Sequence, residues 1–288
     1  MRTLRECVKE AEINNVAIGH FNVSDTEQLW GIFNAARKLE VPVIIGVSEG
    51  ERDFIGMRQV AVLVKSLREE FNHPIFLNAD HTYTFDGVKE AVDAGFDAVI
   101  FDGIKVSHEE NVAISKQSVA YARASGRDVL VEAELGNIGQ SSKLLDKVPE
   151  GVVITEDMMT QPDDLASFVK ETGVDMIAPA VGNLHGMLKG GKNPNISAER
   201  IKELRDAGGV PMVLHGGSGI SDDDFVKAIE AGIAIVHINT EIRVAYRKGI
   251  TEGLAADANE VAPYRFLKQG VEEVQSVVEA RLKLFNSL

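Results

Sequence analysis

Three histidines each stand just beyond a short apolar run: His81 after residues 74–79, His185 after 176–180 and His215 after 210–214. If those runs are parallel strands of one sheet or barrel, three imidazoles far apart in the chain converge on one rim. Three nitrogen donors with an open fourth position are the layout of catalytic zinc, which acts as a Lewis acid on a substrate oxygen. Any one of them alone reads more readily as a hydrogen-bonded structural histidine than as a ligand. Their shared place at the ends of three strands is what favours a metal. His20, His73 and His108 lack that company and read as structural or exposed. Asp80, beside His81, either orients an imidazole or moves a proton at a metal-bound substrate.

The elements that must position these groups recur regularly. Short β-branched runs occur at 16–21, 41–47, 75–79, 98–101, 129–131, 176–180, 210–214 and 233–238. Segments of helical period lie between them at 27–39, 88–94, 111–124, 165–171, 198–206 and 222–230. Near-continuous apolar strands alternating with helices imply a parallel sheet covered on both faces, and eight such units imply an α/β fold, a (β/α)8 TIM barrel. The expected organisation is one barrel domain over residues 1–288 with a C-terminal helical extension. An internal echo supports it: residues 90–102 and 227–239 share the layout of helix, Ala-Gly stop, strand and polar residue, with Gly95, Gly232 and, more loosely, Gly173 ending helices. Ser24 with Glu27 reads as a capping box, and Ser221 before three aspartates as another helix start. The long irregular piece is 136–155, a loop length that is commonly functional.

In such a barrel the active site lies at the C-terminal rim. The sequence places there Asn22, Ser48, Asp80, His81, Asp102, Glu132, Glu134, residues 182–186, residues 215–219 and residues 239–241. Asp102, Glu132 and Glu134 form a carboxylate group that could bind a second cation or accept an N–H from a metal-binding histidine. Gly216, Gly217, Ser218 and Gly219 follow strand seven, and Asn239 and Thr240 follow strand eight, where barrels build phosphate sites from backbone N–H groups. The charge of −14, from 44 acidic against 30 basic residues with no basic block, argues against nucleic-acid or anionic-membrane partners. An anionic substrate then needs that local cradle. The single cysteine, Cys7, excludes an internal disulfide framework and a thiolate-rich zinc cluster. No apolar run reaches membrane-spanning length and no secretory leader pattern opens the chain, so a cytoplasmic protein is expected.

Taken together, Asp80-His81, Glu132-Ala-Glu134-Leu-Gly136, Gly182-Asn-Leu-His-Gly186, His215-Gly-Gly-Ser-Gly219 and Asn239-Thr240-Glu241 resemble the class II, metal-dependent ketose-bisphosphate aldolases, the fructose-bisphosphate and tagatose-bisphosphate enzymes. The resemblance runs from Phe21-Asn22-Val23 to the C-terminal helix. It implies a barrel, dimeric or tetrameric, with catalytic zinc on His81, His185 and His215. It also implies Asp80 as the acid/base at the C4 hydroxyl, and Asp102 and Glu134 at secondary metal positions for a divalent or monovalent cation. Ser48, Gly186, Gly216, Gly217, Ser218, His237, Asn239 and Thr240 match the family's substrate-binding positions. The implied reaction is reversible cleavage of a ketose 1,6-bisphosphate, most often fructose 1,6-bisphosphate, to dihydroxyacetone phosphate and an aldehyde. A Schiff-base aldolase would need a lysine inside the barrel, and no predicted strand carries one.

The chain departs from the family pattern in three places. Residues 139–142 read Gly-Gln-Ser-Ser where the family carries Gly-Gly and then Glu-Asp on a mobile loop, so Ser142 replaces a proton-shuttling carboxylate and Asp146 or Glu150 would have to substitute. Ile235-Val236-His237 stands for Lys-x-Asn. Ala262-Pro263-Tyr264 stands for Asp-Pro-Arg, whose arginine reaches the second phosphate across the dimer, with Arg265 one place late. An aldolase for a variant ketose phosphate and a non-catalytic sugar-phosphate-binding protein are therefore the alternatives. A barrel hydrolase ranks below both, because Phe21-Asn22-Val23 replaces the His-x-His expected after strand one.

Overall fold

The computed structural model describes residues 2–139, 143–148, 155–189 and 193–288. Eight parallel strands close into a barrel: β1 (Ile18–Asn22), β2 (Val43–Val47), β3 (Ile75–Thr82), β4 (Ala98–Phe101), β5 (Leu130–Leu135), β6 (Met176–Pro179), β7 (Met212–Leu214) and β8 (Ile233–Ile238). Each pairs with its neighbours in sequence, and β8 returns to β1 with Ile18 opposite Ile235 and His20 opposite His237. The (β/α)8 fold expected from the alternation is the fold observed.

Burial on both faces explains why the strands lack a polar–apolar alternation. Phe21, Ile45, Leu77, Val99 and Val131 point outward into the core beneath the helices. Ile18, Ile44, Phe76, Leu130, Met176 and Val213 fill the lower barrel. A helix at the start of the chain, α1 (Leu4–Asn14), closes that lower end with Leu4, Cys7, Val8 and Ala11. It begins at a Thr3/Glu6 capping box and ends at Asn15, in the left-handed region with φ 49°. Two residues further up three of the strands the interior turns polar: His20 follows Ile18, Asn78 follows Phe76 and Glu132 follows Leu130, all buried. The site grows from that layer.

The helices between strands begin at α2 (Thr26–Leu39) and include α3 (Glu49–Ile55) and α4 (Met57–Phe71), in a stretch for which the sequence pattern names no helix. They meet at Gly56, whose φ of 90° breaks the helix. α5 (Phe85–Ala94), α6 (His108–Ala124), α7 (Pro162–Thr172), α8 (Ala198–Gly208) and α9 (Asp222–Ala231) lie where the periodicity places helices. After β8 come α10 (Thr240–Ala256), the short α11 (Pro263–Phe266) and α12 (Lys268–Phe285), which packs on α2 and α10 through Val274, Val278, Leu282 and Phe285. The N-cap of α2 is Asp25 instead of Ser24: its carboxylate accepts from the Gln28 N–H at 2.9 Å, a stronger acceptor at a positive helix end than a hydroxyl. Within the 136–155 loop, Leu144–Leu145 pairs in parallel with Met187–Leu188, laying one rim loop on another.

Candidate active site

The rings of His81, His185 and His215 meet at the C-terminal rim with centroids 4.8, 5.2 and 5.5 Å apart. They arrive from the ends of β3, β6 and β7. His81 is placed by an irregularity: the register between β3 and β4 slips after Ala79, and His81 sits in the left-handed region with φ 44°. That conformation costs a non-glycine residue on the order of 1–3 kcal/mol, so the surroundings must enforce it. Arg52 does so from α3. It is buried and donates to the carbonyls of Val47 (2.7 Å) and Asp80 (3.1 Å) and to Thr82 Oγ1 (3.2 Å), bracketing His81.

Each histidine has one ring nitrogen already engaged. His81 Nδ1 donates to Asp102 Oδ2 at 2.8 Å, His185 Nδ1 to the Gly139 carbonyl at 2.7 Å, and His215 Nε2 to Glu132 Oε1 at 2.9 Å. That leaves His81 Nε2, His185 Nε2 and His215 Nδ1 for another partner, and the last is buried without one. One ligand atom from each of His81, His185, His215 and Glu134 lies within 4.8 Å of the others. Metal-binding histidines ordinarily give their second nitrogen to a carboxylate or carbonyl, so this donor set fits a divalent cation. Asp102 thus meets the N–H of a rim histidine. Glu134, both of whose oxygens are buried and without a hydrogen-bond partner, faces the same centre, with Oε2 3.5 Å from His215 Nδ1.

Electrostatics in this closed space are strongly coupled. Burial opposes a charge on His81, yet Asp80 and Asp102 hold its pKa up at about 10. Burial, with the nearby His81 and His215, pushes His185 down to about 3. Glu134 stands well above the usual carboxylate range through burial and the facing charge of Asp102. For Asp80 burial acts upward but His81 and then His237 outweigh it, holding the carboxyl well below its ordinary value.

Asp80 lies on the inner face of β3 in the same pocket. Its Oδ2 accepts from Asn22 Nδ2 at 2.9 Å, while Oδ1 is buried without a hydrogen-bond partner, 3.5 Å from His237 Nδ1 and 3.9 Å from His81 Nε2. Asn22, Asp80, His81, His185, Gly186, Gly216, Gly217, Ser218, His237, Asn239 and Thr240 line one pocket. The phosphate-loop positions are therefore brought together with the histidines. Ser218 Oγ accepts from the Asn239 and Glu241 N–H groups at 3.3 and 3.1 Å, fixing the loop to the start of α10. At Gly216, φ is 64° and an added Cβ would lie 2.2 Å from the Leu184 carbonyl oxygen, so this close approach requires glycine. Ser48 stands off the pocket wall, at the N-cap of α3. Asp146 is taken up in an exposed ion pair with Lys189 at 2.9 Å, and Ser142 and Glu150 lie outside the described residues.

Three features went unread in the sequence. His20 is structural, as expected, but it is stacked inside the barrel on His237, centroids 3.4 Å apart, and His237 stacks in turn on His215 at 4.0 Å. Gly46 makes room for it, since a Cβ there would lie 2.1 Å from the His20 ring. Glu51 accepts from Asn22 Nδ2, and Arg52 supports β3; Ser48-x-x-Glu51 is a capping-box signature that could have drawn attention to the first, whereas nothing in the sequence marks the second. His73 donates to the Val41 carbonyl, far from the site, as its structural reading requires.

The family model described as "Fructose-bisphosphate aldolase class-II" matches residues 2–288. A fructose-bisphosphate aldolase of Geobacillus stearothermophilus is 37% identical over 288 residues, 99% of this chain and 96% of that protein. One from Staphylococcus aureus is 34% identical, covering 99% and 97%. Among solved structures, the YdjI aldolase of Escherichia coli K12 superposes with a TM-score of 0.83 at 30% identity, covering 99% of this chain and 97% of that one. With the rim histidines and the loop at residues 216–218 in place on a closed barrel, the chain belongs to the class II fructose-bisphosphate aldolase family, a family of lyases.

Proposed function

We propose that the protein is a zinc-dependent aldolase that cleaves a phosphorylated ketose between C3 and C4, releasing dihydroxyacetone phosphate and an aldehyde. The observation that carries this reading is Asp80 Oδ1, a buried carboxylate oxygen without a hydrogen-bond partner, in one pocket with three histidines whose outer nitrogens are held. A zinc ion held by His81, His185 and His215, with Glu134 at hand, would supply Lewis-acid polarisation of the substrate ketone.

The chain's own residues do the rest. The N–H groups of Gly216, Ser218 and Thr240, with the dipole of α10, bind the C1 phosphate, while the Gly217 and Asn239 N–H groups brace the cradle by donating to the His237 carbonyl and Ser218 Oγ. Asn22 holds Asp80 Oδ2, which leaves Oδ1 to accept the C4 hydroxyl proton as the C3–C4 bond breaks. The electron pair of that bond passes to C3 of the dihydroxyacetone half, which takes a proton from solvent water to leave as dihydroxyacetone phosphate while Asp80 gives up its proton to solvent; in the synthetic direction C3 first loses that proton and Asp80 protonates the aldehyde oxygen. Residues His185 and Gly186 and the Leu144–Leu145 pairing above them help exclude water. A homodimer or homotetramer is the assembly that membership of the family implies, and the single buried cysteine supports a reducing, cytoplasmic setting. Among the described residues no helix is long and apolar enough to cross a membrane.

Release of dihydroxyacetone phosphate from fructose and tagatose bisphosphates and their 1-phosphates, measured in a coupled assay, should vanish on chelation and return with zinc. Asp80→Asn should lower kcat by about 10²–10⁴-fold while zinc binding persists. Absence of metal-dependent cleavage of every ketose phosphate would sink the reading.

A further inference from the structure

We infer that the aldehyde half of the substrate carries no phosphate, so that the protein cleaves a ketose 1-phosphate and releases an unphosphorylated hydroxyaldehyde. This rests on the aldolase reading above and concerns the other end of the same site. With the C1 phosphate at β7 and β8 and the C4 hydroxyl at Asp80, the remaining carbons run past Asn22, the residue bonded to the far oxygen of Asp80. They emerge over the ends of β1 and β2. A phosphate there would need convergent N–H and O–H donors.

Those donors exist, but one side chain has taken them. Glu51 Oε2 accepts from Asn22 Nδ2 (2.8 Å), from the Ser48 N–H (2.7 Å) and from Ser48 Oγ (2.8 Å), and Arg243 from α10 is ion-paired to Oε1. A capping box on α3 accounts for the Ser48 N–H bond alone. It does not call for Asn22 from β1 or Arg243 from α10. Glu51 is 5% exposed, so turning its carboxylate away from these donors would strand a buried charge. The neighbouring cation, Arg52, is spent on the Val47 and Asp80 carbonyls and Thr82. A phosphate dianion would meet two buried carboxylates, Glu51 and Asp80, linked through one amide. A hydroxylated tail meets no such conflict, because a hydroxyl donates to Glu51 or Asn22 as readily as it accepts from Arg243.

The test compares kcat/KM for fructose 1-phosphate and fructose 1,6-bisphosphate in the zinc-loaded enzyme. Solvent exchange of the dihydroxyacetone phosphate methylene proton, followed by NMR in D2O, serves as an independent readout of the other half-site. The 1-phosphate should be cleaved at least as efficiently as the bisphosphate. Glu51→Gln should move that ratio toward the bisphosphate by about tenfold or more, the effect of removing a like charge. Glu51→Asp, which keeps the charge, should retain the 1-phosphate preference; the wild-type ratio decides the matter even if Glu51→Gln does not fold. Exchange together with a bisphosphate preference would overturn the inference and leave the aldolase reading standing. No exchange and no cleavage would overturn both.

Discussion

His81 carries the most consequential single-residue chemistry in the molecule. Metal-free, it is charged: Asp80 and Asp102 overcome the effect of burial and lift its pKa to about 10. A cation can use His81 Nε2 only after the ring sheds that proton, so loading at pH 8 should release at least about one proton per ion, and affinity should climb about tenfold per pH unit up to about pH 10. Titration calorimetry in buffers of different ionisation enthalpy measures this directly; zinc uptake without proton release would contradict the assignment of His81. The sign for the metal-free fold is the opposite. A histidine whose folded pKa is raised contributes stability that is complete below about pH 6.5 and is lost as the pH rises through about 10. Urea midpoints of the chelated protein should therefore fall on alkaline titration, while zinc affinity increases.

At the scale of elements, β3 and α3 act as one unit. Strand β3 slips its register after Ala79, turns His81 into a left-handed conformation and still ends on β4, and Arg52 makes that path tolerable by binding the Val47 and Asp80 carbonyls and, beyond His81, Thr82 Oγ1. Removing the guanidinium strands those buried carbonyls. Arg52→Met should destabilise the protein by about 3 kcal/mol, read from urea unfolding. In the fraction that remains folded, zinc affinity should fall about 10–100-fold, as it does when a group orienting a metal ligand is lost. A variant with parental unfolding and parental zinc affinity would show that the bulge holds itself. The Gly46 and His20 pair is a second such device: an absent Cβ on β2 admits an imidazole from β1, on which His237 and then His215 stack.

Over the whole molecule, polarity is graded along the barrel axis. α1 and an apolar lower interior close one end, a layer of buried His20, Asn78 and Glu132 follows, and the histidines and Asp80 open at the other. Inside the barrel the apolar packing thus lies at the base, and the rim holds orphaned polar atoms, among them Glu134 Oε1 and Oε2 and His215 Nδ1. A bound cation satisfies the folded state alone. Zinc at about a hundredfold over its Kd should add about 2.7 kcal/mol and raise Tm by about 4–5 °C in a chain of this size. Calorimetry with and without chelator checks it, and an unchanged Tm would mean that the rim does not hold the ion.

Much of this was legible along the chain because it is written in local period. Apolar runs spaced by helical segments mark eight β/α units, and once those are parallel strands, Asp80, His81, His185, His215 and the Gly216 loop must share a rim, since each follows a strand. The tertiary structure decided which partner each group meets. Whether Asp102 faces a second cation or the His81 N–H depends on side-chain direction across neighbouring strands, which spacing does not encode. The same holds for His20, whose place beneath His237 follows from the β1–β8 register, and for Glu51, a helix cap by its sequence and the collector of donors from β1, β2 and α10 by its position. Apolar runs, helical period and helix caps are patterns within a few residues, so the sequence alone marked the elements of the barrel and the residues at its rim. The hydrogen bonds that assign roles at the rim join residues from Asn22 to Arg243, and only closure of the barrel brings those into contact.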